Sequence, residues 1–261
     1  MLMGELQRME INKPISKLTK EDLQDIKLIV FDVDGILVPR GTRIKQEGTI
    51  TTLETKVIRR KQIEQIKKLC DLGFMININS GRGLYMLQEM FREILPFISL
   101  TYENGSATWD KGKIYQHLNS FFELKDIFFE LKKIKNKNIK GFEPKEFIIT
   151  IHCEKPVKKI ELLVAKQKNL YTIWNGEAYD IGIKGVQTKD RGLKSFMRIN
   201  KLKKKNVLAI GDNFNDREVL EAAGIAITAD KDRASGDFYI PLNNKELPAK
   251  QFMDQIFRVL N

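Results

Sequence analysis

The chain has 261 residues, of which 42% are hydrophobic and 30% charged, and its formal net charge at pH 7 is +11. This is an ordinary globular composition, and the length allows a full core in one large domain or two. No apolar run approaches the roughly 20 residues that a membrane span needs, and the polar N-terminus lacks the apolar segment of a secretory signal. We therefore expect a cytoplasmic protein with no membrane partner.

Lysines cluster in two runs, residues 132–140 and 201–205. Neither run alternates with aromatic residues, and no nucleic-acid-binding motif accompanies them. A solvated surface is therefore favoured over a nucleic-acid interface. The two cysteines, Cys70 and Cys153, lack metal-like spacing and are interpreted as buried free thiols.

The first strongly patterned stretch follows an N-terminal extension of residues 1–26. Residues 27–31 are mostly apolar without alternation, which predicts a strand buried on both faces of a parallel sheet. This strand runs directly into Asp32 and Asp34, and Gly35 allows a sharp turn there. Ligands of open α/β sheets bind at the carboxyl ends of strands, so both carboxylates are expected in a crevice. Taken alone, the same residues also fit a capped turn with two solvated carboxylates.

Alternating helices and strands follow in chain order. The pattern predicts a hairpin over 43–55 around Gly48, a helix over 56–72, and strands over 74–78 and 97–102. Residues 106–183 show a different order of helix and strand patterns, which predicts a small α+β unit with a hairpin around Asn175-Gly176. Helices over 190–199, 218–223 and 249–260 and strands over 207–210 and 225–227 then resume the first pattern.

The predicted fold class is therefore α/β: a Rossmann-like, doubly wound parallel sheet with an inserted small α+β domain. Residues 27–105 and 184–261 form the predicted core, and residues 106–183 form the insert. In parallel sheets the carboxyl ends of the strands lie on one side. Polar groups follow four of these ends: Asp32 and Asp34; Ser80; Asn104; and Asp212 with Asn215 and Asp216. Such an oxygen-rich site suits Mg²⁺, and several ionised carboxylates in one crevice require a cation.

These motifs resemble those of the haloacid dehalogenase superfamily of phosphohydrolases. The resemblance rests on residues 32–35, Ser80-Gly81-Arg82, Lys189 and residues 211–216, in this order and after successive strands. The insert is similar to the type-two cap of subgroup IIB, the Cof and sugar-phosphatase-like proteins. Ile36 departs from the family pattern, which usually has threonine there. Lys184 and Lys194 are alternatives to Lys189, which fits the family phrase better.

The resemblance implies a role for each site residue. Asp32 would be the nucleophile and Asp34 the general acid and base, with Ser80 and Lys189 stabilising charge on the phosphoryl group. The implied substrate-binding residues are Ser80, Gly81, Arg82, Asn104, Lys189 and Asn215. The implied Mg²⁺ ligands are Asp32, Asp34 through its carbonyl, Asp212 and Asp216, the last of which could instead orient Lys189.

The resulting functional hypothesis is a Mg²⁺-dependent phosphatase acting through an aspartyl-phosphate on a small phosphorylated metabolite, with a sugar phosphate as the favoured class. A phosphomutase of the same superfamily is an alternative, since the Glu103-Asn104-Gly105 phrase resembles those enzymes. A non-catalytic binding protein on the same fold is a second alternative. His152, on a predicted strand of the insert, is interpreted as structural. No feature of the sequence indicates an oligomeric state.

Overall fold

The computed structural model describes residues 12–242 and 246–260, so residues 1–11 of the expected N-terminal extension lie outside the described part. The strands are β1 (Lys13–Pro14), β2 (Leu28–Phe31), β3 (Arg43–Glu47), β4 (Ile50–Glu54), β5 (Met75–Asn79), β6 (Ile98–Tyr102), β7 (Ala107–Asp110), β8 (Lys113–Gln116), β9 (Ile139–Glu143), β10 (Ile149–Cys153), β11 (Leu170–Trp174), β12 (Ala178–Ile183), β13 (Val207–Gly211), β14 (Ile225–Thr228) and β15 (Phe238–Tyr239). The helices are α1 (Lys20–Leu23), α2 (Arg60–Asp71), α3 (Leu84–Phe91), α4 (Phe121–Lys132), α5 (Lys158–Ala165), α6 (Lys189–Ile199), α7 (Arg217–Ala222) and α8 (Pro248–Leu260).

A nine-stranded sheet in the order β1-β15-β14-β13-β2-β5-β6-β7-β8 forms the core. Its pairs from β1 to β6 are parallel, and β7 and β8 add an antiparallel hairpin at one edge. Strand β2 lies in the middle because its residues are apolar on both faces. Ile29 and Phe31 pack with α2, α3 and α8, whereas Leu28 and Val30 pack with α6 and α7. The predicted α/β class with a doubly covered parallel sheet is confirmed.

A second unit, residues 121–183, is referred to below as the cap. Its four antiparallel strands, in the order β11-β12-β10-β9, pack with α4 and α5 around a separate hydrophobic core. Alternation along β10 divides the two faces of this sheet. Ile149, Ile151 and Cys153 enter the cap core, whereas Thr150 and His152 point toward the main sheet and line a cavity there.

The strand pairing moves two of the expected boundaries. Residues 107–116 were assigned to the insert, but they form β7 and β8 of the core sheet because Ala107 to Asp110 pair with β6. Part of the extension assigned to residues 1–26 also belongs to the core, since Lys13 and Pro14 pair with β15 and Leu18 and Leu23 are buried. Short two-residue strands carry too little periodicity to be read from the sequence.

The helix expected over residues 56–72 begins four residues later, at Arg60, as α2. Val57 precedes it and is 83% exposed. The expected hairpin around Gly48 is present as β3 and β4, and it packs against the cap. The backbone N–H of Phe142 donates to Gln46 Oε1 over 3.2 Å. No described helix has both the length and the apolarity that a bilayer crossing demands.

Candidate active site

The polar residues predicted to meet at the carboxyl edge of the sheet do lie together. Asp32 directly follows β2, Ser80 follows β5, and Asp212 follows β13, which are three neighbouring strands of the sheet. Asp32, Ser80 and Lys189 line one cavity of about 370 Å³ between the sheet edge and the cap. This volume is within the range of small-molecule sites.

Lys189 connects two carboxylates at the base of the cavity. It is the first residue of α6 and is 3% exposed, and its Nζ donates to Asp32 Oδ1 and Asp216 Oδ1, each over 2.7 Å. Asn79 fixes the start of the helix, because its Nδ2 donates to the carbonyl of Lys189 over 3.0 Å. Lys194, one of the alternative lysines, instead contacts Asp190 and is largely exposed. The geometry thus favours Lys189 as the lysine of the site.

Three buried carboxylates cluster beside this lysine. Asp32, Asp212 and Asp216 each offer an oxygen, and these oxygens all lie within 4.8 Å of one another. Burial, together with the charge of Asp216, raises the pKa of Asp32 to about 8. Burial also raises the pKa of Asp212 to about 6, although its ion pair with Arg40 over 2.7 Å opposes this. Three such carboxylates repel one another, and a cation would relieve that repulsion.

The oxygens in this cluster are not equally available. Asp212 Oδ1 is buried without a hydrogen-bond partner among the described residues. Asp216 has both oxygens engaged, since Oδ2 accepts the backbone N–H groups of Asp212 and Asn213 and Oδ1 accepts from Lys189. The donor set therefore fits a hard divalent cation at Asp32 and Asp212. The contacts of Asp216 suit the orientation of Lys189 better than direct metal binding.

Gly35 lets the loop after β2 approach Asp212 in the loop after β13. Its φ is +87°, and a Cβ at this position would lie 2.1 Å from Asp212 Oδ2. Any side chain here would displace the carboxylate from the cluster, so glycine is required by both conformation and space.

The carboxylate of Asp34 lies apart from the acidic cluster. Its two oxygens accept hydrogen bonds from Arg82, and its side chain is one-third exposed to the cavity. A side chain held there can exchange a proton with a bound ligand. A metal role for Asp34 depends on its backbone carbonyl and stays a prediction.

The remaining predicted residues line the same cavity: Gly81, Arg82, Asn104 and Asn215. Ser80 Oγ accepts the backbone N–H of Arg82 over 3.2 Å, which leaves its hydroxyl hydrogen to donate elsewhere. Asn104 Oδ1 and Asn215 Oδ1 are buried and have no hydrogen-bond partner within the described ranges. The structure therefore brings eight of the ten predicted site residues to one cavity. The other two, Asp212 and Asp216, are buried beside Asp32 and do not line the cavity.

Several cavity residues were not predicted from the sequence. They are Arg40 from the loop after β2, Arg233 from the loop after β14, and Glu143, Lys145, Thr150 and Asp180 from the cap. His152 also lines the cavity, and its Nε2 lies 2.9 Å from Glu143 Oε2, so its ring has the polar partner expected of a structural histidine. These cap residues were not predicted because alternation along a strand shows which residues share a face, but not which part of the protein that face covers.

Comparison with known proteins identifies the family of the chain. A family model described as haloacid dehalogenase-like hydrolase matches residues 29–139 and 119–232. The chain belongs to this family. A curated relative, phosphoglycolate phosphatase 1 of Saccharolobus solfataricus, is 24% identical over 238 residues, which cover 89% of this chain and 96% of the relative.

Solved structures of this superfamily share the fold. The phosphatase BT1666 from Bacteroides thetaiotaomicron is 18% identical with a TM-score of 0.66, and the match covers 92% of this chain and 98% of that one. BT4131, described as a subclass IIB sugar phosphatase, is 18% identical with a TM-score of 0.61, and the match covers 89% of this chain and 99% of that one. This haloacid dehalogenase-like hydrolase is therefore of the type IIB architecture, as its motifs and insert predicted.

Proposed function

We propose that this protein is a Mg²⁺-dependent phosphatase that acts through an aspartyl-phosphate on Asp32, with a sugar phosphate as the favoured substrate class. The observation that carries the proposal is the Lys189 ammonium placed between Asp32 and Asp216 at the base of a ligand-sized cavity. The broader class, a phosphoric monoester hydrolase, follows from the family and from near-full-length relatives that are named phosphatases.

In the proposed mechanism, Asp32 attacks phosphorus. One of its oxygens is held by Lys189, which fixes the direction of the carboxylate and offsets charge at the reacting centre. Attack forms the bond between Asp32 and phosphorus as the bond to the leaving-group oxygen breaks. Mg²⁺ held by Asp32, Asp212 and the carbonyl of Asp34 would neutralise the charge between these carboxylates and the phosphoryl oxygens.

In the proposed mechanism, Asp34 moves the protons of both steps. It gives a proton to the departing oxygen in the first step and takes one from a water molecule in the second. That water attacks phosphorus, and the bond to Asp32 breaks to release inorganic phosphate and the free carboxylate. Ser80 and Asn215 supply donors for the phosphoryl oxygens at the wall of the cavity.

The charges of the cavity support a neutral, hydroxyl-bearing leaving group. Each lysine or arginine side chain that lines the described cavity already has a carboxylate partner, in the pairs Arg40–Asp212, Arg82–Asp34, Lys145–Glu143, Lys189–Asp32 and Arg233–Asp230. The ring of His152 lies against Glu143. A carboxylate such as that of phosphoglycolate would find no free cation among these side chains. Sugar hydroxyls could instead donate to the oxygens of Glu143 and Asp180.

Two substitutions test the mechanism. Asp34→Asn keeps the nucleophile but removes the base of the second step, so a phosphoenzyme about 80 Da heavier should accumulate with p-nitrophenyl phosphate. Asp32→Asn should show no adduct, and Asp126→Asn on the exposed face of α4 should turn over like the unaltered protein. The measurement is intact-protein mass spectrometry with peptide mapping. An adduct on any residue other than Asp32 would overturn the assignment.

The substrate class is tested separately by comparing kcat/KM for glucose 6-phosphate and for phosphoglycolate. We expect the sugar phosphate to be preferred. A clear preference for phosphoglycolate would reject the sugar phosphate while leaving the phosphatase mechanism intact.

A further inference from the structure

Glu103 is a buried carboxylate outside the catalytic set that joins the core to the cap. It follows β6, is 1% exposed, and has a left-handed backbone with φ of 48°. Its carboxylate accepts three successive backbone N–H groups of the cap: from Glu146 over 3.0 Å, Phe147 over 2.6 Å and Ile148 over 3.1 Å. Successive N–H groups that converge on one anion form a strong anion-binding arrangement.

The backbone of the same turn is tied to the catalytic loop. The N–H of Glu103 donates to the carbonyl of Arg82 over 3.1 Å, and the N–H of Asn104 donates to the carbonyl of Ser80 over 3.2 Å. Glu103 therefore contacts the catalytic loop through its main chain and the cap through its side chain. This one residue thus contacts both the catalytic loop and the cap directly.

The cap segment that Glu103 holds begins immediately after Lys145. The Nζ of Lys145 donates to the carbonyl of Gly81 over 2.9 Å and to Thr150 Oγ1 over 2.7 Å, and its side chain is 4% exposed. Gly81 lies between Ser80 and Arg82, so this ammonium reaches the catalytic loop from the cap side. Holding residues 146–148 in place also fixes the backbone from which Lys145 extends.

We propose that Glu103 is a positioning residue that acts through Lys145 to hold the cap against the catalytic loop, and so determines affinity for substrates whose leaving group contacts the cap. Glu103 itself is not among the described residues that line the cavity. The kinetic part of this proposal rests on the proposed phosphatase function, whereas the effect on the cap segment does not.

The kinetic test uses Glu103→Ala and Glu103→Gln in the full chain, with p-nitrophenyl phosphate and glucose 6-phosphate as substrates. Glu103→Ala should raise KM for glucose 6-phosphate roughly tenfold, the equivalent of one or two lost charge-assisted hydrogen bonds. The kcat for p-nitrophenyl phosphate should change less than about twofold, because the small aryl group depends little on the cap. Glu103→Gln keeps one acceptor oxygen and should restore part of the affinity.

A double-mutant cycle with Lys145→Met tests whether the two residues act together. If Glu103 acts through Lys145, the double variant should have nearly the same KM as Lys145→Met alone. Additive effects would overturn the proposal, as would an equal loss of kcat on both substrates. Glu146→Gln is the matched control, because it changes an exposed carboxylate and leaves the backbone N–H in place.

Hydrogen exchange provides a readout that does not depend on activity. The amides of residues 146–148 should exchange at least about tenfold faster in Glu103→Ala than in Glu146→Gln, since their acceptor is removed. Unchanged exchange would reject the proposal even if the enzyme is active. If the unaltered protein hydrolyses neither substrate, the proposed function fails, and faster exchange would still support the cap contact.

Discussion

Arg82 holds the carboxylate of Asp34 through two hydrogen bonds, from Nε to Oδ2 over 2.9 Å and from Nη2 to Oδ1 over 2.7 Å. The guanidinium is buried, and its third nitrogen contacts Thr55 Oγ1 at the end of the hairpin. The planar guanidinium matches both oxygens of the carboxylate. The residue proposed to transfer protons is thus fixed in direction by its partner from the next strand.

Replacing this guanidinium by an ammonium should reduce proton transfer more than binding. Arg82→Lys keeps the charge but cannot form the two parallel hydrogen bonds, so Asp34 loses its fixed orientation. We expect kcat for glucose 6-phosphate to fall roughly 10- to 100-fold, a part of what general acid–base catalysis contributes. The kcat for p-nitrophenyl phosphate should fall less, because nitrophenolate leaves without protonation.

The matched control is Arg92→Lys, which changes an arginine that is mostly exposed at the end of α3. It should leave both kcat values unchanged. Equal losses on the two substrates in Arg82→Lys would show that Arg82 does not act through the protonation of the leaving group.

Metal removal should abolish activity because Asp32 and Asp212 cannot approach a phosphate dianion without a cation. We expect EDTA to stop hydrolysis of p-nitrophenyl phosphate and Mg²⁺ to restore it. Ca²⁺ should not restore it, because calcium prefers more ligands at longer distances. Full activity after metal removal verified by elemental analysis would contradict the assignment of the acidic cluster.

Asp212 and Asp216 should respond differently to amide substitution. Asp212→Asn alters the oxygen that has no partner in the described structure, so the Mg²⁺ concentration for half-maximal activity should rise at least about tenfold. Asp216→Asn should mainly lower kcat, because Asp216 holds Lys189 and two backbone N–H groups. The reverse pattern in a Mg²⁺ titration of both variants would make Asp216 the metal ligand.

The sequence predicts which residues of the core sheet lie together at the candidate site, and the reason is topological. Asp32, Ser80 and Asp212 each follow an apolar strand, and parallel strands place their carboxyl ends together. Neither Lys145 nor Glu143 has such a signal, because the cavity face of the cap exists only after the cap packs on the core. The strands β7 and β8 were assigned to the insert for a related reason: a hairpin shows its turn in the sequence but not the sheet that it joins.

Gly105 should be among the least replaceable residues near the site. Its φ is +80°, and a Cβ there would lie 2.2 Å from the carbonyl oxygen of Thr188, the residue before Lys189. Gly105→Ala should lower the free energy of unfolding by roughly 2–4 kcal/mol through backbone strain and overpacking, and it should reduce kcat by moving Lys189.

Gly112 offers the matched control for this substitution. Its φ is +84°, but a Cβ there would meet nothing within 4 Å. Gly112→Ala should therefore cost only about 1 kcal/mol from the conformation itself. Urea denaturation of both variants gives the comparison, and equal losses would show that the contact with Thr188 does not matter.

The stability of the protein should depend on pH through Glu143 in the cap. Burial alone would raise the pKa of Glu143, but Lys145 over 3.5 Å and His152 over 2.9 Å outweigh it and lower the pKa from 4.5 to about 2. A carboxyl group whose pKa is lower in the folded state stabilises that state above its unfolded pKa. This contribution is complete above about pH 4.5, declines as the pH falls, and is lost near pH 2.

Glu143→Gln removes this contribution. The free energy of unfolding of the unaltered protein should therefore exceed that of the variant by on the order of 2 kcal/mol at pH 6, and by less at pH 3. Urea denaturation at both pH values measures the difference, with Glu154→Gln, an exposed carboxylate that follows β10, as the control. A difference that stays constant between pH 6 and pH 3 would mean that Glu143 contributes to the cap by packing and not through its charge.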